Sequence, residues 1–224
     1  MSKLRHLFLF LILASVTLPL KAQDDMLKLG LRAGHNAVFG GFAAVSLESQ
    51  YTFGNDFSLH GGLKYTTVGK TAVEARPSYF HDFAWGRISA EALLNYTNLT
   101  SVNSMAVGGG VWISGKWIGA KFGYFYRIYG GKEGKIEEPF NIYYELRANL
   151  LPMVDDWDLQ LMITNCEIFE LERHFQPSFI AEGTYYLKNH LGVSMGIGCK
   201  PAGMFNMSAD YYETYLNLGF SYRW

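Results

Sequence analysis

Several things this sequence lacks narrow its function. It has only two cysteines, Cys166 and Cys199, too few for a disulfide framework. Its 19 basic and 20 acidic residues leave a net charge of −1, with no basic footprint for nucleic acid. His35, His81, His174 and His190 are scattered, without metal-ligand spacing such as His-Glu-x-x-His. The glycine clusters Gly108-Gly109-Gly110 and Gly196-Ile197-Gly198 lack the strand-to-helix setting of a dinucleotide site, and read as places where strands pack closely. No cofactor or metal is implied. Beyond Val16 no apolar run approaches the roughly 20 residues of a spanning helix, so any membrane crossing must be made by strands.

The N-terminus is the exception to that apolar poverty. Lys3 and Arg5 precede the run Leu7–Val16, and small or polar residues follow to Asp24. This is the layout of a cleavable secretory signal, with cleavage just after Ala22 or Gln23. The run is too short for a membrane anchor. Residues 1–22 are therefore expected to be a signal peptide, and 23–224 a single domain. An oxidising compartment would permit a disulfide, but one strand separates those of Cys166 and Cys199, so a direct bond would need a loop excursion.

What the sequence has in abundance is aromatic residues and glycine: 16% aromatics, with 15 Tyr, 16 Phe and 24 Gly. From Leu27 onward apolar and polar residues alternate with a period of two, broken by turn signals. Leu27, Leu29, Leu31 and Ala33 oppose Lys28, Gly30, Arg32 and Gly34. The same alternation recurs to the chain end and marks twelve strands. Short turns fall at 54–56, 86–87, 115–116, 152–156 and 188–189. The other connections are longer (69–77, 130–138, 165–174 and 200–211) or intermediate (37–41 and 98–103). Residues 69–77 read as a loop ending at Pro77, and 78–85 as the weakest strand. Without that strand ten remain as the fallback, but the even count needed to keep both chain ends on one side of a membrane favours twelve.

The last ten residues, Tyr215–Trp224, form a two-faced strand with Leu216, Leu218, Phe220, Tyr222 and Trp224 on one side. This stretch resembles the C-terminal strand of Gram-negative outer-membrane β-barrels, which ends on an aromatic residue and is read by the barrel-assembly machinery. The mature chain as a whole resembles small Gram-negative outer-membrane proteins. The resemblance implies an all-β fold, a transmembrane antiparallel up-and-down barrel in the bacterial outer membrane, with lipid and the assembly machinery as partners.

Two rows of aromatics fit that picture. Tyr51, Phe53, Phe57, Trp85, Trp157, Tyr185 and Trp224 lie beside the short turns or the C-terminus. Tyr65, Tyr96, Tyr126, Phe140 and Tyr212 lie near the opposite strand ends. Amphipathic rings favour these two water boundaries. Trp112 and Trp117 point inward by phase, which the girdles do not explain.

If the apolar face meets lipid, the charged face is enclosed. The expected lumen network comprises Lys28, Arg32, Glu48, His60, Lys64, Glu91, Lys121, Arg127, Glu145, Arg147, Glu182, Glu213 and Arg223, with Asp158 beside it. Charges removed from bulk water must be paired. The expected function is a structural barrel or a narrow, porin-like passive channel for small polar solutes. Twelve strands lie between side-chain-filled small barrels and open porins. Two alternatives stand beside it. One is a lipid or lipid A hydrolase using His60 with Ser46 or Ser58 and Glu48. The other is an accessory or adhesion barrel binding an extracellular partner through loops 130–138 and 200–211.

Overall fold

Side chains that alternate every two residues give a sheet with one apolar and one polar face, and such a sheet can hide its edges by closing on itself. In the computed structural model, which describes residues 25–54, 56–99, 102–131, 134–171, 176–187, 190–201 and 211–224, it does so. The strands are β1 (Met26–Asn36), β2 (Gly40–Phe53), β3 (Phe57–Thr66), β4 (Lys70–Phe83), β5 (Gly86–Leu99), β6 (Val102–Gly115) and β7 (Ile118–Gly131). They continue as β8 (Gly134–Asn149), β9 (Trp157–Thr164), β10 (Cys166–Glu167), β11 (Glu170–Leu171), β12 (Ser178–Tyr186), β13 (Leu191–Pro201) and β14 (Tyr211–Arg223). All but β10 and β11 form one closed barrel, each strand pairing with its neighbours in the chain. β14 closes it by pairing antiparallel with both β13 and β1, from Met26↔Arg223 to Asn36↔Glu213. The fold is thus the twelve-stranded antiparallel barrel expected from the alternation.

The outward face carries exposed apolar residues on every strand of the barrel, among them Leu31, Val107, Phe122, Leu146, Val193 and Phe220. So continuous an apolar belt would aggregate in water but suits hydrocarbon. The inward face holds Lys64, Glu74, Arg76, Arg127, Glu145, Lys200 and Glu213, all buried. β4 to β7 have 14 residues each and β8 has 16. Roughly 9–11 residues suffice to cross a bilayer, so these strands are longer than a crossing needs.

Those long strands correct three expectations. Residues 70–77 are part of β4 rather than a loop, and the outer connection shrinks to 67–69. Pro77 misled because proline cannot donate to a ladder. β4 tolerates it by leaving Arg76 and Pro77 out of its register with β5, which resumes at Ser78↔Glu91. The supposed charged loop 130–138 is mostly strand, with β7 and β8 running on to a Gly131↔Gly134 pair after a register shift near Phe125. Likewise 98–103 lies largely in β5 and β6. Turns at the chain-terminal end fall within about two residues of their expected places, at 84–85 and 116–117 for example. The expected signal segment 1–22 and most of the loop 200–211 lie outside the described residues.

The largest departure is the connection between β9 and β12. Instead of a loop at the outer rim, it folds into the lumen as the hairpin β10–β11, with Cys166↔Leu171 and Glu167↔Glu170 as cross-strand pairs.

Candidate functional site

Neighbouring pairs in a two-stranded ribbon point to opposite faces, so this hairpin is amphipathic. Its Cys166–Leu171 face packs into an apolar cluster with Leu93, Ala106, Phe125 and Tyr143 from β5 to β8. Its Glu167–Glu170 face meets cations from the opposite wall. Arg32 Nη2 lies 2.7 Å from Glu167 Oε2, and Arg32 Nη1 lies 3.5 Å from Glu170. Lys64 donates to Glu170. Lys200, only 2% exposed at its side chain, lies 2.5 Å from Glu170, 3.6 Å from Glu167 and 3.5 Å from Glu213.

The wall also grips the hairpin backbone. Arg127 Nη2 donates to Leu171 O at 2.5 Å, and Arg76 Nη2 donates to Cys166 Sγ at 3.3 Å. Phe169 N–H donates to Glu74 Oε2 at 3.2 Å, while Glu74 also accepts from Arg76 and Asn95. Phe169, at the hairpin tip, adopts a φ of 69°. That is an outlier for a bulky side chain, kept only where the surroundings over-determine it. Its ring fits over Gly62: a Cβ there would sit 2.5 Å from Phe169 Cζ.

At the hairpin's base, Asn165 replaces a missing stretch of ladder. β9 pairs with β8 only from Glu145↔Thr164 to Asn149↔Gln160. Beyond it, Asn165 Oδ1 accepts from Tyr144 N–H at 2.8 Å and Nδ2 donates to Ile142 O at 2.9 Å. The side-chain amide thus occupies the place of one more peptide group, just where the chain turns inward.

The hairpin divides the lumen. Towards the chain termini lies a cavity of about 380 Å³ lined by Lys28, Glu48, His60, Lys121, Glu182 and others. Towards the outer end lies one of about 330 Å³, lined by Asn36, Lys70, Asn95, Arg127 and Glu213 among others. Phe169 borders both.

In the lower chamber the inward charges form separate pairs. Lys28 reaches Glu182 at 2.9 Å, Lys121 reaches Glu91 at 3.2 Å, and Arg147 reaches Glu145 at 2.7 Å. Tyr143 Oη also donates to Glu91, at 3.1 Å. Trp112 does point into the lumen, where Lys121 and Arg147 approach its ring at 5.4 and 5.1 Å. Two cations on one ring account for an inward indole that a lipid girdle does not. Trp117, by contrast, is exposed in the β6–β7 turn. Arg223 donates to Tyr186 Oη at the rim. Asn36 Nδ2 donates to Glu213 at 2.8 Å in the outer half.

The hydrolase grouping does not assemble. His60 stands opposite Gln50 and Arg76 in register, Ser58 Oγ bonds Ser78 Oγ at 2.8 Å, and Ser46 Oγ donates to Glu48 at 3.3 Å. Neither serine is paired with the imidazole. Among the described residues, no three His, Cys, Asp or Glu side chains converge as a metal site. Cys166 and Cys199 are both free thiols, Cys166 being buried in the plugging hairpin.

Of the terminal-end aromatics, Phe53 and Phe57 pair at 5.9 Å and Trp157 and Tyr185 at 5.0 Å, all four exposed. Trp85 is exposed and stacks on Phe83 at 5.5 Å. Tyr51 is 8% exposed, with the Trp224 ring 5.8 Å from its own.

Sequence reasoning missed Glu74, Arg76, Glu167, Glu170 and Lys200, the charges at the centre of the network. Glu74 and Arg76 carried a usable signal, since Thr71, Val73 and Ala75 continue the two-residue period around them. Nothing in the local pattern distinguishes Glu167 and Glu170 from an ordinary loop.

No protein-family model matches the sequence, and no curated protein does. The fold is nonetheless similar to solved outer-membrane barrels. The KdgM porin matches with a TM-score of 0.58 at 12% identity, over 89% of this chain and 99% of that one. The translocator domain of the autotransporter NalP from Neisseria meningitidis gives 0.59 at 10% identity, over 100% and 96%. The NanC porin gives 0.56 at 10% identity, over 90% and 100%. The chain therefore has the fold of small bacterial outer-membrane porins.

Proposed function

We propose that this chain is an outer-membrane barrel whose lumen is a narrow passive channel for small polar solutes, held constricted by the hairpin β10–β11. One observation carries the reading: two chambers, of about 380 and 330 Å³, share that hairpin as their partition. A barrel needing only mechanical bracing could fill its lumen with side chains, as smaller barrels do. On this reading outer-membrane lipid is the solvent of the apolar belt. The terminal strand Tyr215–Trp224 is the segment read by the assembly machinery.

Planar-bilayer recording tests the proposal. The intact protein should give sparse, small conductance steps. A variant in which a Gly-Ser linker replaces Cys166–Leu171 should give large, steady ones. Silence from both, with heat-modifiable gel mobility showing folded barrels, would sink the channel and leave the charges a bracing role.

A further inference from the structure

We infer that the outer chamber is a binding site for an amphipathic monoanion, a compact ring system carrying one carboxylate that Lys70 holds. Inward positions of a wet barrel are ordinarily polar. At the outer end of this one several are not. Lys70, Leu99 and Val102 are successive cross-strand partners on β4, β5 and β6, so their Cβ atoms stand about 5 Å apart in one row along the chamber wall. Val102 is 44% exposed there, and Phe39, 52% exposed, faces the same chamber from the β1–β2 turn. Phe42 and Phe169 line it as well, offering rings for an aromatic body to pack on. Apolar side chains left open inside a chamber gain free energy when an apolar body covers them. The volume of about 330 Å³ is at the lower end of the range for small-molecule sites. The next inward row, Thr97, Ser104 and Tyr129, carries hydroxyls. The apolar surface thus ends within one step along the strands, which fits a short body rather than a long chain.

Charge selects the occupant. The other ionic groups lining the chamber are engaged: Arg127 donates to Tyr129 Oη at 2.7 Å and to Leu171 O at 2.5 Å, Glu170 accepts from Lys200 at 2.5 Å, and Glu213 accepts from Asn36 at 2.8 Å. Lys70 differs. Its backbone N–H bonds Thr66 Oγ1 at 3.1 Å, but its ammonium makes no hydrogen bond or ion pair among the described residues. A neutral apolar solute lying on Leu99 and Val102 would strip water from that ammonium and return nothing. A carboxylate on the solute restores a charge-assisted hydrogen bond. A second carboxylate would meet Glu170 and Glu213 in the same chamber, so one negative charge is favoured over two.

Naphthoate is the probe, titrated calorimetrically into the full chain in lipid nanodiscs, with the heat of empty nanodiscs subtracted. Naphthalenemethanol, naphthalenedicarboxylate and acetate are run beside it. Naphthoate should bind saturably, one per barrel, and more tightly than the other three. Lys70→Met should weaken it about tenfold or more, the effect of losing one charge-assisted hydrogen bond, and leave naphthalenemethanol unchanged. Lys70→Arg should retain binding. Leu99→Ser/Val102→Ser should abolish it in a barrel that keeps its heat-modifiable gel mobility; if that variant does not fold, the Lys70 pair alone decides. Equal naphthoate affinity in wild type and Lys70→Met, equal affinity for the dicarboxylate, or no saturable binding at all would overturn the site. The site stands whether or not the lumen conducts. Naphthoate binding to a barrel silent in planar bilayers would keep it and refute the channel, whereas conductance without naphthoate binding would do the reverse.

Discussion

Glu170→Gln offers a direct test of how the plug is held. Glu170 is the carboxylate that Lys64 touches, and it also pairs with Lys200 and Arg32. After the substitution Lys200 keeps Glu167 and Glu213, and Arg32 keeps Glu167, but Lys64 loses its contact carboxylate. Breaking a buried pair by removing one partner costs about 3–5 kcal/mol. Both chambers abut the cluster, which favours the low end, about 3 kcal/mol. At 1.4 kcal/mol per tenfold, that lowers the docked-to-released ratio of the hairpin on the order of a hundredfold. The barrel ladders are untouched, so the penalty falls on docking rather than on global folding. Single-channel recording should show open probability rising accordingly. Adding Lys64→Met removes the stranded charge and should return much of the closed population, the signature of two directly coupled residues. An open probability equal to wild type in Glu170→Gln, or no recovery in the double variant, would refute the claim that this ion pair holds the plug.

Other positions test other links of the argument. Phe122→Arg places a charge on the lipid face of β7 and should cost about 2–4 kcal/mol in urea unfolding from liposomes, whereas Thr184→Arg, facing the lumen, should cost far less; equal costs would contradict the assignment of faces. Asn165→Ala leaves Tyr144 N–H and Ile142 O without the amide that bridges them, and should lower the unfolding free energy by about 1–3 kcal/mol, read from the midpoint of the heat-modifiable gel shift. Leu171→Ala weakens the apolar seat of the hairpin and should open the channel at every salt concentration. In wild type, by contrast, raising salt from 0.1 to 1 M shortens the Debye length from about 10 to about 3 Å. Conductance should then grow faster than bulk conductivity, and strict proportionality would count against an electrostatic latch.

The barrel was legible because its signal is repeated. Twelve segments each carry the two-residue period, and one misjudged boundary leaves the count intact: β4 was recognised only from 78 onward, yet it still supplied the strand that parity requires. The inward phase of Lys28, Glu91, Lys121, Glu145 and Glu182 followed from the same rule, because strand side chains have only two directions. The plug was not legible. Its strands are two residues each, too short for periodicity, and its place in the lumen depends on contacts with β1, β3, β4, β7 and β13 that are distant in sequence. Pro77 hid Glu74 and Arg76 behind a loop signature, although β4 merely drops two residues from one ladder. Lys200 and Pro201 stand at the start of the expected loop 200–211. In fact β13 extends through both residues, and its register against β14 shifts only between them.

In the proposed channel the two faces of the hairpin would divide the labour of closure. Replacing buried ion pairs by well-packed apolar residues is often neutral or stabilising, so charge is not needed merely to hold a plug in place. An apolar plug, however, would expose its whole contact surface each time it moved into a wet lumen, and no polar solute could take its place. An acidic face can be exchanged, because water can replace each partner that Arg32, Lys64 and Lys200 would lose. Cys166 and Leu171 fix where the hairpin rests against β5 to β8, while Glu167 and Glu170 tie it to the opposite wall. In the proposed channel Arg32, Lys64 and Lys200 both hold the hairpin and line the lumen, so a substitution at any of them should alter closure and ion preference together.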